Sequence, residues 1–145
     1  MRRSTLLKKD GAKHMNSLSF KLQGSGFDKT FPKSFEPGQI VVAPIPFSNL
    51  ASSKIRPALI ISRRSYNENS EDVIVLKVTS KTKGYPFDVS LWPKDLKTGT
   101  LKEESALQAD FPVVIEKKSI SGCIGEIEGR KMHEVKQKIR ELYLL

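Results

Sequence analysis

Residues 55–62 read Ile55-Arg56-Pro57-Ala58-Leu59-Ile60-Ile61-Ser62, and this stretch decides the fold. Its second half is a short, continuous apolar run, which predicts a buried strand over residues 58–62. A permanently charged guanidinium stands just before that strand, and its planar fork matches carboxylate and phosphate oxygens. Because a charge at the edge of a core needs a partner, Arg56 either pairs with an internal carboxylate such as Glu126 or binds an external phosphate.

Further strands are predicted on both sides of this one. Apolar or alternating runs, which are typical of strands, occur at 39–47, 72–79, 85–91, 105–108, 113–115 and 119–127. Polar stretches between them predict loops or turns at 48–54, 63–71, 80–84 and 92–99. Pro44 and Pro46 indicate that the late part of the first strand is an edge or a bulge. In 85–91, one face carries Tyr85, Phe87, Val89 and Leu91.

The C-terminus changes to a helical period. Met132, Val135, Ile139 and Leu142 follow a 3-4-3 spacing and form one apolar stripe. The solvated side of this helix is predicted to carry Lys131, Lys136, Lys138 and Arg140, with His133 at the boundary. Several short strands with one terminal helix predict a mainly β (α+β) fold, a small barrel or curled sheet closed by a C-terminal α-helix.

The N-terminal part of the chain differs from the rest. Residues 1–37 hold no lasting period and are interrupted by glycine and proline, so we interpret them as an irregular extension of a domain at 38–145. The segment that ends at His14-Met15 resembles a cloning junction, which would make Met15 the natural start. Phe27, Phe31 and Phe35 are predicted to pin the extension to the domain surface.

Composition indicates a soluble protein with polyanionic partners. The net charge is +9, of which the extension contributes 8 − 3 = +5 and the remainder 17 − 13 = +4. Cys123 is the single cysteine, which excludes an intrachain disulfide and favours a reducing cytoplasm. No apolar run approaches the roughly 20 residues of a membrane helix, so we expect no membrane partner.

The sequence lacks the residue patterns that several kinds of active site require. The two histidines, His14 and His133, lie far apart in the sequence, and no cysteine, histidine or carboxylate spacing predicts a metal site. Gly24-Ser25-Gly26 is too short for a phosphate loop, and Cys123 is expected to pack as a small apolar group. Cations and hydroxyls near strand ends remain, and they can bind and polarise a phosphodiester: Ser52, Ser53, Lys54, Arg56, Thr79, Ser80, Lys81 and Lys83.

The order and spacing of five segments resemble the MazF/PemK family of toxin endoribonucleases. These segments are Gly38-Gln39-Ile40-Val41, Arg56 to Ile61, Val78-Thr79-Ser80-Lys81, Leu101 to Ala106 with Ser105, and Ile124-Gly125-Glu126-Ile127 before the terminal helix. The resemblance implies an SH3-like barrel, usually a homodimer, acting as the toxin of a type II toxin-antitoxin system. It also implies sequence-specific cleavage of single-stranded RNA (mRNA) without a metal or cofactor. The products would be a 2′,3′-cyclic phosphate and a 5′-hydroxyl, and a cognate antitoxin would neutralise the enzyme.

The resemblance also assigns roles to residues. The family's catalytic arginine corresponds to Arg56 and its catalytic threonine to Thr79, the first to stabilise charge on the phosphorane and the second to hydrogen-bond the phosphate or a transferring proton. RNA contacts are expected from the first loop and the turn after Thr79, at Ser52, Ser53, Lys54, Ser80, Lys81 and Lys83.

The chain departs from the family in the loop 48–54, which contains no carboxylate. The general base is therefore unassigned. Two other hypotheses stay open at this point. One is a non-catalytic toxin or RNA-binding module on the same barrel, for example a gyrase-directed inhibitor. The other is a scaffold whose basic extension does the binding.

Overall fold

A computed structural model of the chain describes residues 32–80 and 84–145. Within these residues the chain forms seven strands, two α-helices and two short 3-10 turns. The strands are β1 (Gln39–Pro46), β2 (Ser53–Ile60), β3 (Asp72–Thr79), β4 (Asp88–Leu91), β5 (Leu96–Gly99), β6 (Ser105–Glu116) and β7 (Gly122–Ile127). The helices are α1 (Arg64–Glu68) and α2 (Gly129–Tyr143), and the 3-10 turns are Pro93–Asp95 and Lys117–Ser119.

The strands form one antiparallel sheet in the order β4-β6-β3-β2-β1-β7-β5. A single buried cluster contains Val89 from one edge strand, Leu59 and Leu76 from the middle, and Ile127 from β7 near the other edge. Since residues from both edges of the sheet meet in one cluster, the sheet curls around that cluster. Helix α2 adds Val135 to the same cluster and closes the curl.

A second apolar cluster lies on the other face of the sheet. It holds Val41, Ala58, Val75 and Ile115, and Phe35 packs against it. Alternate residues of a strand point to opposite faces, and burial on both faces explains why β1 and β3 are nearly continuous apolar runs. Phe35 therefore contacts the domain as predicted, whereas Phe27 and Phe31 lie outside the described residues.

The strand prolines lie where one neighbouring strand is missing. β7 pairs with β1 only as far as Val42, so Pro44 and Pro46 have β2 alone as a partner, as the sequence predicted. Pro57 precedes the point at which β3 begins to pair with β2, at Ala58. Because proline has no backbone N–H to donate, these positions tolerate it.

The fold class predicted from the sequence, mainly β with a C-terminal helix, is confirmed. Some local predictions were wrong. The segments 105–108 and 113–115 belong to one strand, β6, that an irregularity bends. Strand β4 begins only at Asp88, β2 begins already at Ser53, the predicted loop 63–71 contains α1, and the turn 92–99 contains β5.

A buried ion cluster joins α2 to the sheet, where the sequence predicted a solvated helix side. Lys131 is only 5% exposed, and its Nζ donates to the Ser90 carbonyl at 3.0 Å and to Glu134 at 2.8 Å. Its Nζ also lies 3.5 Å from the carboxylate of Asp95, which is 1% exposed. Burial with three acceptors, rather than solvation, is therefore the role of Lys131. His133, expected at the boundary of the stripe, is exposed.

Candidate active site

The candidate site forms where two strands separate. β2 and β3 pair only over Ala58–Ile60, with Ala58 opposite Lys77. Beyond that point β2 stays on β1, while Val78 and Thr79 of β3 pair with β6. Between the diverging ends lie Arg56, immediately before Pro57, and the end of β3.

An irregularity in β6 widens the opening. Leu76 lies opposite Pro112, but Val78 lies opposite Leu107, so the single residue Lys77 faces four residues of β6, 108–111. A bulge of this kind bends a strand and redirects its side chains, and such bulges are common beside active sites. Here it directs β6 side chains towards the opening.

The result is a cleft of about 440 Å³, open to solvent. It lies on the face opposite α2, because Val78, Val89 and Leu107 point to the helix-side cluster and their strand neighbours point away from it. Its walls carry one cation, two carboxylates, hydroxyls and two aromatic rings, and they comprise Ser48, Lys77, Thr79, Tyr85, Asp88, Gln108, Asp110 and Phe111.

Two cations lie together at one side of the cleft. The Nζ of Lys77 is 5.6 Å from the centre of the Phe111 ring, within cation–π range. Burial and the nearby charge of Arg56 lower the pKa of Lys77, while Asp110 acts in the opposite direction. The Nε of Arg56 is buried and has no hydrogen-bond partner among the described residues. The described residues also provide no ion pair to Arg56, neither from Glu126 nor from another carboxylate.

Two carboxylates lie at the other side. Asp88 of β4 is directly opposite Gln108 of β6, and Asp110 follows on the same face of β6. Burial and then the charge of Asp110 raise the pKa of Asp88, and a backbone hydrogen bond from Tyr85 opposes this shift. Asp88 Oδ1 is buried and, in the described part of the chain, unpartnered.

The predicted site residues separate into two groups. Thr79 lines the cleft and is 8% exposed, and Arg56 lies beside Lys77 at its margin. Ser52, Ser53, Lys54 and Ser80 are exposed and do not line it; the first loop contributes Ser48 instead. Lys81 and Lys83 lie outside the described residues.

Sequence reasoning missed most of the cleft wall. Tyr85 was predicted to be half-buried in a strand, but it precedes β4, is 48% exposed and lines the cleft. Asp88 and Asp110 are 22 residues apart in the chain and meet only because β4 pairs with β6. The sequence did contain one indication of this site: each of two apolar strand segments includes an aspartate, and charged residues are uncommon among buried strand residues.

The cleft combines what a phosphodiester needs. Arg56 and Lys77 supply positive charge, Thr79 supplies a hydroxyl, and the carboxylates can exchange protons. Exposed Tyr85 and the ring of Phe111 offer faces on which bases stack.

Among the described residues no group of three or more histidines, cysteines or carboxylates is arranged to hold a metal ion. None of the helices in the described ranges is long and apolar enough to cross a membrane.

The fold is similar to that of several solved toxin structures. A MazF from Deinococcus radiodurans, solved with MazE, is 26% identical, with a TM-score of 0.61 over 77% of this chain and 98% of that one. The Mycobacterium tuberculosis toxin MazF-mt6 is 20% identical, with a TM-score of 0.60 over 74% and 97% of the two chains. An endoribonuclease from a mycobacterial species, in complex with its cognate antitoxin, has the same identity and TM-score over 79% and 97%. No curated protein sequence matches the chain.

The curled sheet with its terminal helix is thus the fold of these toxins. The sequence profile of the PemK-like, MazF-like toxins of type II toxin-antitoxin systems matches residues 36–143. The chain belongs to this family.

Proposed function

We propose that this toxin is an endoribonuclease that cuts single-stranded RNA, including mRNA, at short sequence motifs. The 2′-hydroxyl attacks the adjacent phosphorus, which leaves a 2′,3′-cyclic phosphate and a 5′-hydroxyl, and the reaction uses no metal. Two of the similar structures are endoribonucleases by name. Because mRNA is the substrate, we place the activity in the cytoplasm.

The observation that carries this proposal is the state of Arg56. Its buried Nε has no partner in the described chain, although an unpaired buried donor is costly. A phosphate oxygen would supply the missing acceptor, and it would bring negative charge to two neighbouring cations, Arg56 and Lys77. As the phosphorane forms, its charge grows, so Arg56 stabilises the transition state more than the ground state. Thr79, in the adjoining cleft wall, would hydrogen-bond the same group.

The proposed partners of the protein are an antitoxin, a second copy of the chain and RNA. Antitoxins are bound to toxins in several similar structures, and we propose that a cognate antitoxin covers this cleft with an acidic segment. The chain is further proposed to act as a homodimer. The exposed residues Ser52, Ser53, Lys54 and Ser80 stay predicted RNA contacts outside the cleft, where a strand longer than one nucleotide would reach them.

The test is cleavage of a long single-stranded RNA by the purified full chain in excess EDTA, with products mapped by primer extension. We expect cleavage by the wild type, loss of it in Arg56→Ala and a strong reduction in Thr79→Val. Arg63→Ala is the matched control, because Arg63 is an exposed arginine that does not line the cleft. Circular dichroism establishes that each variant is folded.

Two results would contradict the proposal. One is cleavage by Arg56→Ala at the rate of the wild type. The other is growth arrest on expression while cellular RNA stays intact, which would favour a non-catalytic toxin, such as a gyrase-directed inhibitor, on the same fold. Cleavage that survives removal of residues 1–37 would exclude a binding role confined to the extension.

A further inference from the structure

Asp88 is in an unusual position for a carboxylate. It opens β4 between Phe87 and the fully buried Val89, yet its side chain lines the cleft. The Oδ1 atom is inaccessible to solvent and has no hydrogen-bond partner among the described residues. A buried, unpaired oxygen is far less costly on a neutral carboxylic acid than on a carboxylate.

The neighbourhood favours the same protonation state. Asp110 is the acidic group that faces Asp88, and the charge of Asp110 adds to burial in raising the pKa of Asp88. The cations of the cleft, Lys77 and Arg56, lie on β3 and β2, at the other side of β6. Tyr85 is the remaining titratable group on the described wall, and its backbone N–H opposes the shift.

The arrangement leaves room for a substrate between the two sides. β6 separates Thr79 on β3 from Asp88 on β4, and both side chains are on the face opposite α2. Two strand spacings amount to about 10 Å, which accommodates one phosphodiester between a charge-stabilising side and a proton-bearing side. The oxygen that leaves the phosphorus in line with the attacking 2′-oxygen can therefore point to Asp88.

We propose that Asp88 is the general acid of the cleavage, which protonates the departing 5′-oxygen. This inference rests on the proposed endoribonuclease function. The 2′-oxygen forms its bond to phosphorus and releases its proton to a solvent water. The bond from phosphorus to the 5′-oxygen breaks with its electron pair on oxygen, and the Asp88 proton converts that oxygen to the 5′-hydroxyl. Solvent then restores the proton to Asp88.

Asp110 has a different role in this scheme. It is a positioning residue that acts through its charge, because a nearby negative charge favours the protonated form of Asp88. Pairs of carboxyl groups whose surroundings separate their pKa values are a common source of distinct acid and base states at one pH. Its removal should therefore change the pH dependence of cleavage rather than eliminate the reaction.

The experiment compares two substrates in single-turnover cleavage at the bond that primer extension maps. One has the natural 5′-oxygen, and the other has a bridging sulfur there, which leaves as a stable thiolate and needs no proton. Loss of a general acid typically costs about 10²- to 10⁴-fold, so Asp88→Asn should slow cleavage of the oxygen substrate by at least about 10²-fold. The sulfur substrate should be cut within a few-fold of the wild-type rate. Glu104→Gln, an exposed carboxylate outside the cleft, is the control.

The pH profile gives a second readout. Only protonated Asp88 can donate, so wild-type cleavage should decline as the pH rises through the pKa of Asp88. Asp110→Asn should move this decline to lower pH, and Asp88→Asn should abolish it. Equal slowing of both substrates by Asp88→Asn, or no slowing of either, would overturn the role of Asp88 while the cleaving wild type upholds the proposed function. A wild type that cleaves neither substrate nor long RNA would overturn both.

Discussion

Replacement of Lys131 by methionine should destabilise this protein much more than its position on a surface helix suggests. The Lys131 side chain is 6% exposed and bonds Ser90, Glu134 and Asp95. Methionine retains most of the apolar stem but removes the charge. The Ser90 carbonyl then loses its donor, and the 2%-exposed Asp95 side chain loses one of its two cationic partners.

The magnitude follows from what Asp95 retains. Removing one member of a buried ion pair typically costs about 3–5 kcal/mol. Asp95 keeps the Arg130 guanidinium at 3.0 Å and the Trp92 backbone N–H at 2.9 Å. We therefore expect the low end, a loss of about 3 kcal/mol in the free energy of unfolding. Arg130→Ala removes the partner whose side chain is 60% exposed, and a pair of this kind is worth about 1 kcal/mol or less.

Urea unfolding at neutral pH measures both variants, with the midpoint and slope recorded for each. The double variant Lys131→Met/Asp95→Asn should be less destabilised than the sum of its single variants, since both single changes remove the same contact between Lys131 and Asp95. If Lys131→Met and Arg130→Ala destabilise the protein equally, or if the double variant is strictly additive, the buried ion cluster does not anchor α2 as argued.

Two further predictions concern stability. Burial alone would raise the pKa of Asp95, but the Trp92 N–H and the charges of Arg130 and Lys131 outweigh it and hold this pKa below its ordinary value. Ionised Asp95 thus stabilises the fold above the ordinary carboxyl pKa of about 3.9, and this contribution is lost as the pH falls below it. Urea unfolding in acid should show a shallower loss for Asp95→Asn than for the wild type; parallel curves would refute the assignment. Gly99→Ala should destabilise by at least about 3 kcal/mol, because φ is +82° and a Cβ would lie 2.1 Å from the Ile124 carbonyl oxygen. Gly84→Ala, at φ +67° with open space around it, should cost only about 1–2 kcal/mol, and equal effects in thermal unfolding would contradict the steric argument.

Local patterns were sufficient for much of the fold. The apolar run of β3 and the 3-4-3 stripe of α2 are periodic over a few residues, so the sequence alone reveals them. The prolines of β1 could also be interpreted from the sequence alone, because a residue without an N–H cannot donate a hydrogen bond to a neighbouring strand. Where burial depends on a distant element, local reasoning failed. Lys131 looks solvated in its own helix, and only β4 and the 3-10 turn at Pro93–Asp95 bring its acceptors, Ser90 and Asp95.

By itself, the sequence determined most of the strands, the terminal helix, the excess of positive charge and the family that Arg56 and Thr79 indicate. The tertiary structure decided which groups share the cleft. Asp88 and Asp110 meet through the pairing of β4 with β6, and Lys77 faces four residues through the irregularity of β6. Such contacts depend on register between segments far apart in the chain. A local pattern cannot encode that register, because one shifted residue exchanges the two faces of a strand.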